Sequence, residues 1–341
     1  MKTRVVAVLA FSVLLGCAGH QQSALDPAGT QSDQINTLWW SFFWILGLVF
    51  IIVMVILLLT LSRRQPKMDQ GVEAGNHQPP EATESRFRKT VTAATIITIV
   101  VLFALIVASV GTGKSIADLG SRKNPLTIQV TANQWWWQFQ YTSDTAAQTL
   151  VTANEIHIPI GRPVQIVGTS LDVIHSFWVP NLHGKRDLIP SRTTQEWIEA
   201  DRPGAYRGQC AEFCGLQHAH MAFWVIAEPE RKFEAWKRAQ LAPASEPATP
   251  DTQRGQQVFL NNACVYCHQI RGTTSSGQNA PDLTHFASRR GIAANTLPNT
   301  KGNLAGWILD PQSVKPGNHM AAIALNSADL QPLVDYLESL R

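Results

Sequence analysis

The chain has 341 residues, enough for two or three domains, and a formal net charge of only +3. Charged residues make up 16% of the sequence, and it contains no long basic run, which argues against a nucleic-acid-binding protein. The cysteine count is five, an odd number for an exported chain, so one thiol needs a separate explanation.

Residues 1–17 have the pattern of a secretory signal peptide. Two basic residues precede an apolar run at 5–15, which is too short to span a bilayer. The stretch ends in the order Leu, Leu, Gly, Cys and resembles a bacterial lipoprotein cleavage site. The resemblance implies that Cys17 becomes the acylated first residue of the mature protein, which also accounts for the odd thiol. The alternative is an ordinary signal peptide or a buried cysteine.

Two long apolar segments follow at 38–61 and 91–110. Each is close to the roughly 20 residues that a helix needs to cross about 30 Å of hydrocarbon. Trp39 and Trp40 near the first segment fit an interfacial aromatic belt. Lys and Arg residues are concentrated between the segments, so the positive-inside rule puts that loop in the cytoplasm. The sequence predicts a transmembrane helix hairpin at 37–112 with both ends outside; two buried core helices are the alternative.

Residues 113–230 predict an all-β domain. Apolar and polar residues alternate at 126–131, 155–160 and 164–167, as in half-buried strands. Short strands that are broken by Gly and Pro predict a Greek-key sandwich or barrel.

Residues 231–250 predict a linker, which begins as a short helix and continues as an exposed, semi-stiff Pro/Ala stretch. Residues 251–341 predict a separate, smaller domain. Asp251 is the expected cap of its first helix, and a closing amphipathic helix is expected at 328–340.

The C-terminal domain contains Cys-Val-Tyr-Cys-His at 264–268, which matches the attachment motif of a c-type haem. Cys264 and Cys267 would add to the haem vinyl groups, and His268 would be the proximal iron ligand. Met320 is the best candidate for the sixth ligand because it follows a Pro/Gly turn that can aim it inward, and Met/His ligation raises the reduction potential. The rivals for that position are His285 and His319.

The stretch Lys-Pro-Gly-Asn-x-Met at 315–320 resembles small class I cytochromes c. The resemblance implies an all-α domain with one covalent haem c. It also implies that the Pro281 carbonyl accepts a hydrogen bond from His268 and that Trp307 packs on or near the haem edge.

A second cluster of soft ligands lies at 210–221, where two cysteines, an imidazole and a thioether fall within twelve residues. This donor set suits copper or zinc far better than magnesium or calcium, and the thioether argues against zinc. Methionine at a redox metal is typical of copper and of haem iron. His175 ends a distant apolar strand; such a histidine alone is more often structural, but here it completes a cupredoxin arrangement.

The whole pattern resembles the binuclear CuA site of cytochrome c oxidase subunit II, and the likeness extends from the first apolar segment to Glu228. The residues that carry it are His175, Cys210, Glu212, Cys214, His218 and Met221.

The resemblance implies a role for each of these side chains. Cys210 and Cys214 would bridge two copper ions, and the two histidines would each bind one. Met221 would be a weak ligand to one copper, and the backbone carbonyl of Glu212 would bind the other. The Glu212 carboxylate would also meet a magnesium ion at the interface with subunit I.

The aromatic run at 134–141 resembles the family segment that receives electrons from cytochrome c, so Trp135 is the expected electron-input residue. Trp136 replaces the usual tyrosine, which keeps the ring but loses a hydroxyl. One of the three tryptophans is expected in the core because alternate strand residues face opposite sides. Glu84 is a candidate for an acid that opens a proton path in subunit I, although its polar surroundings depart from the family context.

The sequence therefore predicts the electron-input subunit of a caa-type cytochrome c oxidase, a proton-translocating haem-copper oxidase of the bacterial cell membrane. Both redox domains would lie on the periplasmic or outer face. Electrons would come from cytochrome c or a quinol–cytochrome c reductase complex, and pass through haem c and CuA to haem a in subunit I, where oxygen is reduced to water.

Three alternatives belong to other classes. A membrane-anchored electron shuttle would lack an oxidase partner. A nitrous oxide reductase relative would need a large propeller domain, for which the chain has no room. A quinol oxidase subunit II would lack both the copper ligands and the haem motif.

Overall fold

The computed structural model describes residues 21–63, 81–118, 125–143, 145 and 148–341. The predicted signal peptide and Cys17 lie outside the described residues, as does most of the loop between the two apolar helices. The chain forms two compact units. One is Gln34–Asp118, and the other combines Met1–Asp33 with Leu119–Arg341.

Two long helices, α1 (Thr30–Ser62) and α2 (Glu81–Asp118), contain the predicted membrane spans. Both are long and apolar enough to cross a membrane. Their large side chains are exposed along most of their length, which is the pattern of helices whose partner is lipid or another membrane helix. Each helix is longer than its predicted span because polar turns continue the backbone hydrogen bonding past the apolar stretch.

The β-domain is a sandwich of two five-stranded sheets, with strand orders β3-β2-β1-β5-β8 and β4-β10-β9-β6-β7. The pairs β1/β5 and β4/β10 are parallel, and the other pairs are antiparallel. Neighbouring strands in each sheet are therefore often distant in the chain. This arrangement confirms the predicted Greek-key, cupredoxin-like fold. The strands are β1 (Leu126–Asn133), β2 (Trp136–Tyr141), β3 (Leu150–Ala153), β4 (Glu155–Pro159), β5 (Val164–Ser170), β6 (His175–Trp178), β7 (Lys185–Leu188), β8 (Thr194–Ile198), β9 (Gly204–Cys210) and β10 (Ala222–Glu228).

The core between the sheets is aromatic at the end that carries the site. Trp137, the core tryptophan of the three, is fully buried and meets Phe223 edge to face at 5.1 Å. Phe177 stacks on Phe223 at 4.7 Å. A Cβ atom at Gly208 would lie 2.2 Å from the Phe223 ring, so only glycine lets β9 pass this close. These close-packed aromatic rings support the start of β6 and the end of β9.

The C-terminal domain is mainly helical, as the sequence predicts. Its first and last helices, α4 and α8, pack around Phe259 and Tyr336. A Cβ atom at Gly255 would lie 1.9 Å from the Pro332 carbonyl oxygen, so glycine allows the close crossing. The elements are α3 (Glu230–Leu241), which precedes the domain, α4 (Pro250–Leu260), α5 (Cys264–Cys267), β11 (Gly291–Ile292), β12 (Leu297–Pro298), α6 (Lys301–Leu309), α7 (Pro311–Val314) and α8 (Ser327–Ser339).

The expected cap of α4 was wrong by two residues. Thr249, not Asp251, is the N-cap: its hydroxyl accepts from the Thr252 amide at 3.2 Å, and the Thr252 hydroxyl accepts from the Thr249 amide at 3.0 Å. Pro250 is then the first helical residue, where its fixed φ is favourable and its missing N–H costs nothing.

The predicted linker is exposed in part but is not free. Helix α3 packs on the β-domain, where Trp236 stacks on the His157 ring at 4.1 Å. After α3, the Ala244 amide donates to the Arg271 carbonyl at 2.9 Å, and the Arg271 guanidinium donates to the carbonyls of Gln240 and Leu241. The chain between the two domains is therefore held against the C-terminal one.

Candidate metal and haem centres

The start of one strand, the end of another and one loop bring the soft donors together. His175 begins β6 and does not end a strand as predicted, because the mostly apolar residues 171–174 before it form an exposed turn. Cys210 ends β9, and the loop 210–221, here called the metal loop, carries the others. The Sγ atoms of Cys210 and Cys214 are 3.7 Å apart. His175 Nδ1 lies 3.8 Å from Cys210 Sγ, and His218 Nδ1 lies 3.6 Å from Cys214 Sγ. Met221 Sδ is 3.9 Å from Cys214 Sγ. Two sulfurs therefore lie at the centre, and two imidazoles and a thioether surround them.

Glu212 presents its two oxygen types in different directions. Its backbone carbonyl oxygen lies 3.1 Å from Cys210 Sγ, among the soft donors. Its carboxylate lies 2.9 Å from the ammonium of Lys185 at the surface. Phe213, the next residue, is 77% exposed, so the tip of the loop carries an apolar side chain into solvent.

The donor set fits copper. Within the described part of the chain, the one group of His, Cys and carboxylate side chains close enough to hold a metal ion is His175, Cys210 and Cys214. Paired sulfurs with imidazole and thioether are the donors that copper prefers. His175, both cysteines and Met221 are almost completely buried, so the site excludes water.

Asp172 orients the strand-end histidine. Its carboxylate lies 2.8 Å from His175 Nε2, which leaves Nδ1 facing the sulfurs. Burial opposes the charge on Asp172, but hydrogen bonds from His175 and the Gln134 amide outweigh it and lower its pKa. Asp172 was missed as a site residue because its role depends on a turn that folds it back onto His175.

The two cysteines share one proton in the absence of a metal. A hydrogen bond from the Cys214 thiol lowers the pKa of Cys210 to about 3. The adjacent Cys210 thiolate in turn raises the pKa of Cys214. A divalent or monovalent metal that replaces this proton would hold both groups as thiolates.

Trp135 lies against the metal loop. Its indole Nε1 donates to the Cys214 carbonyl at 2.9 Å, and the Gln134 side chain donates to the same oxygen at 2.8 Å. Gly215 has a φ of +110°, and a Cβ atom there would lie 3.1 Å from the Trp135 ring. Glycine therefore permits both the turn of the loop and the close approach of the indole.

A cavity of about 390 Å³ lies in the C-terminal domain, within the size range of cofactor sites. One wall of it belongs to the β-domain. The predicted haem and electron-input residues that line this haem cavity are Trp135, Trp136, Cys264, Cys267, His268, Pro281, Trp307 and Met320.

The proximal side of the haem cavity has the predicted geometry. His268 Nδ1 lies 2.7 Å from the Pro281 carbonyl oxygen. This contact makes Nδ1 the protonated nitrogen and leaves Nε2 free to bind iron. Cys264 and Cys267 flank the single turn of α5 and face the same cavity.

The distal side separates the three candidates for the sixth ligand. Met320 lines the cavity, and its amide donates to the Asn318 side chain at 2.7 Å, just after the turn at Gly317. His285 lies elsewhere, because its two ring nitrogens contact the carbonyls of Arg341 and Ala242 at 2.9 and 3.0 Å. His319 also borders the cavity, so it remains the rival.

Glu84 lies in the first turn of α2 and is exposed. Its proposed part in a proton path depends on another subunit and stays a prediction. His220 contacts the Gln217 side chain at 2.9 Å, outside the group of donors around the two sulfurs.

A buried acid in strand β8 of the β-domain makes the free energy of unfolding depend on pH. Burial raises the pKa of Glu196 to about 8 and lowers that of His183, 3.6 Å away, to about 4. Neither carboxyl oxygen of Glu196 has a hydrogen-bond partner among the described residues. Glu196 is thus protonated in the folded chain at pH values where the unfolded chain is ionised, so stability falls as pH rises towards 8.

We expect Glu196→Gln to remove this pH dependence, because an amide does not titrate. His183 is neutral in the folded chain above about pH 5, and its titration in the unfolded chain is common to wild type and variant, so the difference between them from about pH 6.5 to 8 isolates the glutamate. The wild type should lose about 1.6 kcal/mol across it relative to the variant, because the slope is about 1.4 kcal/mol per pH unit while Glu196 stays protonated and falls to half of that at pH 8. Thermal unfolding at both pH values measures this, with the exposed Glu230→Gln as control. Equal slopes in wild type and Glu196→Gln would contradict the assignment.

Comparison with known proteins gives a family match for each of the two domains. The family model described as cytochrome c oxidase subunit II, periplasmic domain, matches residues 143–228, and the cytochrome c model matches residues 252–341. Cytochrome c oxidase subunit 2 of Alkalihalophilus pseudofirmus is 36% identical over 339 residues, which cover 96% of this chain and 94% of that protein. The chain belongs to the cytochrome c oxidase subunit 2 family.

Two further relatives set the range of the family. Cytochrome c oxidase subunit 2 of Bacillus sp. strain PS3 is 34% identical over 265 residues, which cover 72% of this chain and 73% of the relative. Quinol oxidase subunit 2 of Bacillus subtilis strain 168 is 30% identical over 239 residues, which cover 68% of this chain and 70% of the relative.

Membership of the cytochrome c oxidase subunit 2 family confirms the predicted class. The chain is a subunit of a haem-copper terminal oxidase, it is anchored by apolar helices, and it associates with the other oxidase subunits. Its subunit II domain implies copper and its cytochrome c domain implies haem, which together give it an electron-input role.

Proposed function

We propose that this subunit II passes electrons from a haem c on its own C-terminal domain, through binuclear CuA, to haem a of subunit I, and so supports oxygen reduction coupled to proton translocation. One side chain carries the proposal: the Trp135 indole contacts the metal loop at the Cys214 carbonyl and also forms a wall of the haem cavity. When bound, copper and haem each take up and release one electron at a time.

The metal loop and the β6 end would hold the copper. Cys210 and Cys214 would hold it through both thiolates, His175 and His218 through their imidazoles, and Met221 and the Glu212 carbonyl would complete the set. These donors lie on a floor of close-packed aromatic rings, which resists movement when the charge of the site changes. Asp172 keeps Nδ1 of His175 towards the sulfurs.

The C-terminal domain would hold the haem. Cys264 and Cys267 would attach it covalently, and His268 and Met320 would bind its iron. The Pro281 carbonyl fixes the orientation of the His268 ring, which also increases the basicity of the nitrogen left for iron. Trp307, which lines the cavity, would cover part of the haem and limit its contact with water.

The remaining assignments follow the predicted domain plan of leader, hairpin, copper domain, linker and cytochrome domain at 1–17, 37–112, 113–230, 231–250 and 251–341. Cys17 would carry a lipid, and both redox domains would lie on the periplasmic or outer face. The Glu212 carboxylate now pairs with Lys185; a magnesium ion shared with subunit I would replace that ammonium as its counter-ion. The external donor would be a cytochrome c or a quinol–cytochrome c reductase complex.

An absorption spectrum of the native complex, purified in detergent, tests the proposal. We expect the bands of haem a and haem c together, because the chain is proposed to feed a haem a-containing subunit I. Haem c without haem a in the intact complex would instead support a membrane-anchored electron shuttle.

A further inference from the structure

Lys315 is a buried lysine that binds to backbone carbonyls. Only 2% of the residue is exposed. Its ammonium lies 2.7 Å from the Trp135 carbonyl oxygen, 2.7 Å from that of His220 and 3.1 Å from that of Ala293. An ammonium has three donor hydrogens, so three carbonyls use all of them. Burial lowers the pKa of Lys315 to about 7, and the electrostatic effect of nearby Cys214 opposes this.

The three carbonyls come from both redox domains. Ala293 is in the C-terminal domain, as is Lys315 itself, whereas Trp135 and His220 belong to the β-domain. His220 is part of the metal loop, and Trp135 contacts that loop and lines the haem cavity. Lys315 starts the turn that leads to Met320. One turn therefore presents a proposed haem ligand to the cavity and a positive charge to the domain boundary.

The contacts around Lys315 also cross the boundary. The Gln217 side chain of the metal loop donates to the Pro316 carbonyl at 2.7 Å. Two backbone amides cross as well: Ala222 donates to the Ala294 carbonyl at 3.1 Å, and Arg290 donates to the Glu155 carboxylate at 3.1 Å. These three contacts join the same two domains as the lysine does.

The backbone of the C-terminal domain takes an unusual form at this boundary. Ala293, Ala294 and Asn295 have φ values of +52°, +54° and +58°, a left-handed run that residues with a side chain rarely adopt. The run directs the Ala293 carbonyl to Lys315 and the Ala294 carbonyl to Ala222. The Asn295 side chain donates to the carbonyls of Asn154 and Ala222. An unfavourable conformation is thus held in place by interdomain bonds.

We propose that Lys315 is a positioning residue that fastens the cytochrome domain onto the copper domain and keeps Trp135 against the haem cavity. A buried charge is costly unless its hydrogen bonds are all made, and here the docked arrangement alone supplies the Trp135 and His220 acceptors. Undocking would break both bonds. The consequence for electron transfer rests on the proposed function, whereas the docking itself does not.

The amides of Ala222 and Arg290 report on docking because their hydrogen bonds cross the boundary. In the intact, haem- and copper-loaded oxidase, we expect Lys315→Met to speed hydrogen exchange at both amides at least tenfold. Exchange at Phe139, inside the β-sandwich, should not change. The control is Lys301→Met, which removes an exposed ammonium that pairs with Asp335 within the C-terminal domain. Unchanged exchange at Ala222 and Arg290 in Lys315→Met would overturn the proposal.

A second readout separates positioning from general stability. We expect electron equilibration between haem c and copper, followed after photoreduction, to slow at least tenfold in Lys315→Met but not in Lys301→Met. The haem c midpoint potential should also shift downward, because loss of a nearby positive charge favours oxidised haem. The copper resonance and the sulfur–iron band should persist, which would show that both sites are intact. An unchanged rate and potential would count against a positioning role.

If Lys315→Met fails to assemble, Asn295→Ala decides the question, since it removes two other interdomain bonds and should give the same faster exchange. Normal exchange there would overturn the docking proposal. A wild-type oxidase that shows no electron transfer from haem c to copper would overturn the proposed function and leave the exchange result standing.

Discussion

Replacement of Cys214 by serine is expected to abolish the seven-line electron paramagnetic resonance pattern of a mixed-valence copper pair. The Sγ atoms of Cys210 and Cys214 are 3.7 Å apart, close enough for both to bridge the same two ions. A serine hydroxyl is a hard ligand that does not ionise near neutral pH, so it cannot replace a bridging thiolate. One remaining sulfur cannot hold the symmetric pair, so the electron would no longer be shared equally between two ions.

The matched control is His220→Gln, which removes an imidazole from the metal loop, in the short 3₁₀ turn His218–His220. His220 contacts Gln217 and not the sulfurs, so its loss should leave all seven lines. Seven lines in Cys214→Ser would refute the binuclear assignment. Their loss in His220→Gln would show that the resonance responds to any disturbance of the metal loop.

Replacement of Met320 by leucine is expected to have the largest effect on the haem. The variant should lose the weak sulfur–iron absorption band of oxidised haem c, because leucine keeps the volume of methionine but has no donor atom. Its midpoint potential should fall by a sizeable part of the roughly 0.8 V range that axial ligation spans. Optical redox titration of the purified oxidase measures both quantities.

His319→Gln is the control for the distal side, since His319 borders the same cavity and is adjacent in sequence. It should keep the band and the potential. If the band were lost in His319→Gln and kept in Met320→Leu, the sixth iron ligand would be assigned to His319 instead of Met320. His285 needs no such test, because both of its ring nitrogens are engaged by carbonyls.

The sequence points to the two proposed centres because most of their proposed ligands are close together in the chain. The motif at 264–268 and the metal loop each define a short turn, so spacing alone restricts the donor geometry. His175 and Met320 are the exceptions, since each is distant in the chain from the other proposed ligands of its centre, and their places rest partly on a resemblance to a family. Short-range pattern also identifies strands: apolar and polar residues alternate at 126–131 because one face of β1 is buried.

What the sequence does not predict depends on distant parts of the chain. Asp172 and Lys315 are ordinary charged residues in sequence, and their roles emerge only when a turn or a second domain is adjacent. The cap at Thr249 was missed because a Thr-Pro pair competes with Asp251 for the same helix start. The linker was expected to be exposed and semi-stiff, and its composition does not reveal the bonds from Arg271.

Part of the lining of the haem cavity comes from outside the cytochrome domain. Trp135 and Trp136 come from the copper domain, yet they close the space around the proposed haem. A C-terminal fragment cut at the linker would replace those indoles with water, and the polarity around the iron would rise. Potentials and electron-exchange rates measured on the separated domains would therefore differ from those of the intact subunit. In the intact subunit, Trp135 lies between both proposed redox centres, and together with Trp136 it excludes water there.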